Sequence, residues 1–534
     1  MLIPAAYPAT GAARRVPRLL VPSLADCLFL AILLWCFAAG SGWSVLLADG
    51  DTGWHIRTGE YILSTHSVPT RDLFSFSKAG QPWFAWEWLS DVTFAALHHF
   101  WGLKGVVVFT GLVLSLAATL LFRYAVWRGS NVVAALVAAL LATGASTVHY
   151  LARPHIFTIL GLTVTLWVLE RDRGRPTRAV WLLAPLTAVW TNLHGGFVAG
   201  IVCLALATAG AGWETMLDPP ETRRFDAVGR YGLLTGACAL ATLANPYGWR
   251  LHQHMASYLT SGWIREVVEE FQSPRFRSES MLQFEILLFG GLLLIPILFR
   301  QRRIAELLTL MFWAHSALVS ARHVPLYAIV AAPICAEQVS RWWAGWSACF
   351  SRRSIGGTLR DCLHDFSAGP QRASVWVPVV LLGLSLIPWD GPRDFPATKF
   401  PVTAVERNLG VVAPPGSQPR ILSSDQWGDY LIYHLYPKGR VFVDGRSDFY
   451  GPEVGRQYLD LLNAAPNWES TMDAYGFDVA LLPREWPLGQ LLMRHPRWHV
   501  RYLDRQAILL ERRGHVGLNP KPDSTESIPR EQTE

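Results

Sequence analysis

The chain has 534 residues, of which 51% are hydrophobic and only 16% charged, and it carries 24 tryptophans. A soluble domain averages roughly 25% charged residues, so this composition excludes an ordinary soluble globule. The net charge of +6 comes from arginines set in loops between apolar runs, which excludes reading it as a nucleic-acid signal.

Those apolar runs, about 17 to 22 residues each, are long enough to cross a hydrocarbon core of about 30 Å as helices. In chain order they predict about eleven spans, at 23–47, 104–126, 131–149, 154–169, 178–191, 197–213, 229–244, 282–299, 304–319, 324–340 and 373–389. The first follows the basic leader ARRVPRL (13–19). Its apolar run is too long for a signal-peptide core, so it is read as a retained helix. The arginine-rich segments ERDRGRPTR (170–178), ETRRFD (221–226), FRQRR (299–303) and SRRS (351–354) fall on one side if the spans alternate. Positive charge stays cytoplasmic. The expectation is a multi-pass protein of the cell inner (cytoplasmic) membrane, amino terminus inside and residues 390–534 outside. The inside loops read as scattered topology signals. All seven cysteines lie in spans or inside loops, so the outer part has no disulfide framework.

The first outer loop, 48–103, opens with LLADGDTGWHIRTGEYIL (46–63), where an apolar run turns abruptly into Asp49, Asp51, His55 and Arg57. The spacing after Asp51 suits a short helix, and Asp51 has the position of its N-cap. Further on, VPTRDLFSFSKAGQPWFAWEWLSDVTFAALHHF (68–100) reads as a polar turn and then an aromatic-rich amphipathic segment, in which Trp83, Trp86 and Trp88 fit a helix at the membrane interface. Glu87 and Asp91 share one face of it. One reading of that pair is a solvated face. The other turns Glu87 back towards Asp49 and Asp51, a carboxylate cluster that either holds a divalent metal ion or tunes one acid as a base.

The later outer loops are YLARPHIF (150–157), TNLHGGF (191–197), NPYGWRLHQH (245–254) through EEFQSPRFR (269–277), and SARHVP (320–325). Each places Arg, His, Asn or an acid at a helix end. Arg153 and Arg322 have a plain reading as side chains snorkelling to headgroups, and Gly195-Gly196 as a tight turn. Arginines at outer ends run against the positive-inside rule, however, and juxtamembrane ionisable groups are functional candidates by default. The guanidinium fork of Arg153 and Arg322 suits phosphate, with His194 beside them and His55, Arg57, His155 and His323 in support. All of these groups are expected to line one wet pocket at the outer rim.

Beyond residue 400 the pattern changes. RILSS (420–424), RVFVD (440–444), VALLP (479–483), HVRYL (499–503) and QAILLE (506–511) read as short strands, with helices at 425–436 and 451–465. This alternation indicates a small α/β domain. Asp444, Arg446 and Asp448 follow a strand, either as a ligand site or as an Asp–Arg tie between loop and domain. The expected layout is a polytopic membrane domain at 1–390, a soluble extracytoplasmic α/β domain at 400–513, and a disordered tail at 514–534.

A first span, an acidic motif in a large first outer loop, many further spans and a soluble outer domain together resemble the GT-C superfamily of membrane glycosyltransferases. The organisation is most similar to the protein mannosyltransferase and lipid A aminoarabinose transferase branch. QPWFAWEW (81–88) stands where that family often has a His-Pro pair. The resemblance implies an α-helical polytopic fold and transfer of a sugar from a polyprenyl-phosphate-linked donor to an envelope glycan, lipid or protein acceptor on the outer face. It places Asp49 or Asp51 at the catalytic or metal-linked acid, with Glu87 as the second acid. Two other classes compete. A lipid or glycan transporter would carry its polar groups at mid-membrane on broken, repeated helices, a pattern absent here. A non-catalytic envelope-assembly protein on the same scaffold would share the layout. No nucleic-acid partner and no Gly-rich phosphate loop are indicated.

Overall fold

The computed structural model describes residues 20–38, 42–278, 280–351, 353–368 and 374–514. The basic leader (13–19) and the tail from 515 onward lie outside them. Among the described residues each predicted span overlaps a helix, the structure that lets a chain in lipid satisfy its own backbone. Among the described residues, three helices are long and apolar enough to cross a membrane by themselves: Trp88–Trp127, Phe197–Met216 and Met281–Arg300. Shorter apolar helices cover Leu24–Ala38, Val132–Ala145, Ile304–Val319 and Trp376–Ser385. The fold is a helical multi-pass membrane architecture with a small sheet near the carboxyl end.

The chain divides into two compact units. The first takes the described parts of Met1–Leu46, Trp101–Met255 and Val268–Pro392, and holds most of the apolar helices. Small residues set its close helix approaches: Trp190 packs where any Cβ on Gly161 or Gly200 would stand, about 2.9 Å away. The loops read as carrying mere topology signals are more than that. Arg128, only 3% exposed at its side chain, donates to Glu306 (2.7 Å) and Glu337 (2.9 Å) from two other helices, and Arg303 joins the same acids. The network ties the helix Trp88–Trp127 to Ile304–Val319 and Val324–Ser347. Buried charges persist only when paired and hydrogen-bonded in this way.

The second unit takes Leu47–Phe100, Ala256–Val267 and the chain from Arg393 onward. The first outer loop therefore shares a unit with the carboxyl-terminal segment. Its sheet is β1 (Ile421–Ser423), β2 (Val479–Pro483), β3 (Trp498–Leu503) and β4 (Ala507–Arg512), in the order β1-β2-β4-β3. β1 and β2 are parallel; the other pairs are antiparallel. The strand expected at 440–444 is reduced to single bridges, because Val441 exchanges backbone hydrogen bonds with Phe74 and Phe76 of the first loop. The helix Asp425–Leu435 starts where expected, with Ser424 accepting the Trp427 N–H as N-cap.

The interfacial helix expected from Trp83 begins later, at Trp88. Trp83 is 5% exposed and lies under the Arg446 guanidinium, 4.5 Å from carbon to ring centroid. It packs in the unit's interior rather than at a membrane interface.

Candidate functional site

Two clusters of ionisable groups stand out, one inside each unit. In the second unit, the helix Asp51–Thr65 starts with Asp51 as its first residue and Gly50 as its N-cap. The capping role belongs to Asp49, whose Oδ1 accepts the Asp51 N–H at 3.0 Å. Asp51 is 5% exposed, with its carboxylate turned to Gly445 from the VFVDGRSDFYG segment. A Cβ on Gly445 would collide with Asp51 Oδ1 and stand 2.9 Å from Asp429 Oδ2, so both carboxylates border one point. Gly445 N–H donates to the other Asp429 oxygen at 2.9 Å, and Gly50 N–H donates to Gln426 Oε1 at 2.8 Å. Burial, then the charges of Asp51 and Asp444, push the Asp429 carboxyl well above the usual carboxylate range. An acid that holds its proton more tightly than usual thus faces a second carboxyl group, an arrangement that suits proton transfer.

Asp444 and Arg446 resolve in favour of the tie. Arg446 donates to Asp444 through Nε (2.7 Å) and Nη2 (2.6 Å) and reaches Asp72 of the first loop at 2.8 Å. Tyr450 Oη donates to Asp444 at 2.6 Å. Asp448 follows at the start of the helix Ser447–Leu462.

One helical turn after Asp51, His55 is fully buried and shares a 2.6 Å hydrogen bond through Nδ1 with Asp91 Oδ1. Glu87 lies on the other side of the ring, 3.7 Å from Nε2. Glu87 and Asp91 thus do share a face, but it is a buried face that grips His55 rather than a solvated one. Burial, then Glu87, push Asp91 well above the carboxylate range. Arg57 is spent on structure, donating to the Tyr433 carbonyl and to Glu60 at 2.6 Å.

In the first unit, the outer-loop candidates gather. Pro154 sets the start of the helix His155–Gly174, because the residue before a proline leaves the helical region. His149, His155 and His194 form a row with ring centroids 4.5 Å apart at each step. Arg153 Nη1 lies 3.5 Å from Glu270 Oε1, and Arg322 covers the Phe271 ring at 4.4 Å. Ser320 Oγ donates to the Glu270 carbonyl at 2.8 Å, and Ala321 N–H to Gln272 at 2.9 Å, joining the two loops.

His194 is held by a directed chain. Trp190 Nε1–H donates to Thr158 Oγ1 (3.0 Å), which meets His194 Nδ1 at 2.6 Å, and Gly196 N–H donates to that same nitrogen at 3.0 Å. Nδ1 is therefore the acceptor nitrogen, which places the ring proton on Nε2 as a donor. The Gly-Gly turn is required by this approach, since a Cβ on Gly196 would run into Thr158. Burial, then Arg322, His149 and Arg153, hold His194 well below the usual histidine value. Burial and Arg322 likewise take His323 down to about 4. Burial opposes the charge on Glu270, but Arg153, His149 and Arg322 outweigh it and hold its carboxyl at about 2.

No protein-family model matches the chain, and no curated protein does. Among solved structures, it is similar to the apo oligosaccharyltransferase of Archaeoglobus fulgidus, with a TM-score of 0.54 and 12% identity over 86% of this chain and 69% of that one. The chain has the GT-C fold. ArnT of Cupriavidus metallidurans, solved with undecaprenyl phosphate, is a second neighbour of the GT-C superfamily, with a TM-score of 0.48 and 12% identity over 91% of this chain and 97% of that one.

The predicted residues divide by unit. Asp49, Asp51, His55, Arg57 and Glu87 belong to the second, and Arg153, His155, His194, Arg322 and His323 to the first. Sequence reasoning missed Asp429, Asp91, His149 and Glu270 as site residues. Asp429 sits in WGDY beside Gly428, where a Cβ would strike the Val443 carbonyl. Glu270 was marked by the acid pair Glu269-Glu270 at the head of the otherwise basic segment EEFQSPRFR (269–277).

Proposed function

We propose that the chain transfers a sugar from a polyprenyl-phosphate-linked donor to an envelope acceptor on the extracytoplasmic face of the membrane. What supports the reading is a GT-C fold in which Arg153, Arg322 and a row of three buried histidines gather in one unit, with Glu270 beside Arg153, His149 and His155. An anion with several oxygens is the ligand such a set suits.

In this reading Asp51 is the base. It takes the proton of the acceptor hydroxyl, whose oxygen attacks the sugar's anomeric carbon as the bond from that carbon to the phosphate oxygen breaks. Asp429, whose carboxyl is raised by burial and by Asp51 and Asp444, is the partner that shares the proton with Asp51. Within the first unit, Arg153, Arg322 and the Nε2–H of His194 are the groups whose chemistry suits a lipid-linked phosphate. Asp49 shapes the helix start that presents Asp51. Glu87 and Asp91 fix the His55 ring beneath it. Any divalent ion at Asp49, Asp51 and Glu87 would compete with these structural duties.

The test is a comparison of envelope lipids and glycans from cells with the chain, without it, and with D51N. Loss of one sugar modification in both altered strains is expected, with the lipid-linked donor accumulating. A D51N strain with a wild-type envelope overturns the assignment of Asp51. Donor binding tests the arginines: each of R153A and R322A is expected to weaken affinity for polyprenyl-phosphate sugar at least about tenfold, the worth of one charge-assisted hydrogen bond.

A further inference from the structure

We infer that His149, His155 and Glu270 form a binding site for a borderline transition-metal dication, with zinc the best chemical match. One ligand atom from each lies within 4.8 Å of the others, a spacing that a metal centre can bridge with bonds of about 2.0–2.2 Å. The residues come from three places. His149 ends the short turn Thr147–His149, His155 opens the helix His155–Gly174, and Glu270 lies in the turn Glu269–Phe271.

Three observations favour a metal over simple packing. His149 and His155 are only 6% and 8% exposed. The Nε2 atom of each finds no hydrogen-bond partner in the protein, a costly state for a buried imidazole unless its lone pair is used. The third histidine in the row, His194, does have a directed partner chain, and its Nδ1 accepts from a backbone N–H. The row therefore splits into one satisfied donor and two imidazoles available as ligands.

The ligand chemistry then selects the ion. Two imidazoles and one carboxylate suit zinc or a neighbouring first-row metal, and suit magnesium or calcium poorly, since those prefer all-oxygen sets. Three protein ligands also leave a position open. The nearby Arg153 and Arg322 oppose a bare dication, so the site calls for an anion in that position. On the reading proposed above, that anion is the donor phosphate. The binding of metal does not depend on that reading.

The experiment uses the full chain in detergent, stripped with a chelator and titrated with cobalt(II), whose visible absorption reports its ligands. One equivalent is expected to bind with the bands of a low-coordinate nitrogen–oxygen site and to be displaced by zinc. The bands should be lost in H149A and in H155A and kept in D51N. No bands in the wild-type chain, or bands that survive both histidine variants, overturn the inference. Should a variant fail to fold, the wild-type titration still decides, and D51N separates this site from the first-loop acids. Inorganic phosphate is then added: a shift of the bands that is absent in R322A ties the metal to the phosphate reading. Bands unmoved by phosphate leave the metal site standing and count against that reading instead.

Discussion

At single residues, the acid centre is controlled by Gly445 and Asp429. A side chain on Gly445 would meet both Asp51 and Asp429. G445A is expected to cost about 1–3 kcal/mol, the range for overpacking a filled interior, and to abolish transfer. A melting temperature equal to wild type would show that the two carboxylates do not border that glycine. Asp429 gives a pH signature. Its carboxyl is raised in the folded chain by burial, Asp51 and Asp444, so the folded state holds the proton more tightly than the unfolded one. Its contribution is fully present below the ordinary aspartate value and is lost as pH rises through the raised one. Between pH 5 and 9 the wild-type melting temperature should therefore fall more than that of D429N, in which the neutral group is permanent. Parallel profiles would mean that Asp429 is ionised throughout. Neither role was legible beforehand, because Asp51 and Asp429 are separated by most of the chain and nothing in WGDY distinguishes a buried acid from one on a helix surface.

For whole elements, the apolar runs were readable and the polar contacts between elements were not. Hydropathy placed the helices because lipid leaves the backbone little choice. It missed the helix start at Trp88, since aromatic spacing alone fits both an interfacial helix and the packed turn that puts Trp83 under Arg446. RVFVD has strand composition, yet its backbone partners lie in the first loop, hundreds of residues away. Arg446 holds that junction. R446M leaves Asp444 and Asp72 buried without their cation, and is expected to cost about 3–5 kcal/mol, the penalty for breaking a buried pair. Limited proteolysis should then cut within residues 68–87, and an unchanged cleavage pattern would argue against the tie. Arg128 plays the matching part in the first unit. R128A should lower the melting temperature by an amount of the same order, read in detergent against the conservative R128K.

Taken entire, the chain joins a unit that holds most of the apolar helices to one that holds the small sheet, and the first was the more foreseeable. Composition and arginine placement led to a multi-pass fold, and the comparison with the archaeal oligosaccharyltransferase supports the GT-C architecture at 12% identity. At that identity a likeness carries the fold alone, so activity has to be argued from the side chains present. The outer-loop arginines and histidines were visible as oddities against the positive-inside rule. Their carboxylate partner Glu270, and the split of the histidine row into donor and ligands, needed three dimensions.

The direct measurement is sugar transfer by purified chain in liposomes, supplied with a panel of radiolabelled polyprenyl-phosphate sugars and an envelope extract as acceptor. Label should leave one of the lipid carriers with the wild-type chain, and should do so about 10²–10⁴-fold more slowly with D51N, the range for loss of a general base. Label that stays on every carrier, or that moves equally fast in both chains, would contradict the account.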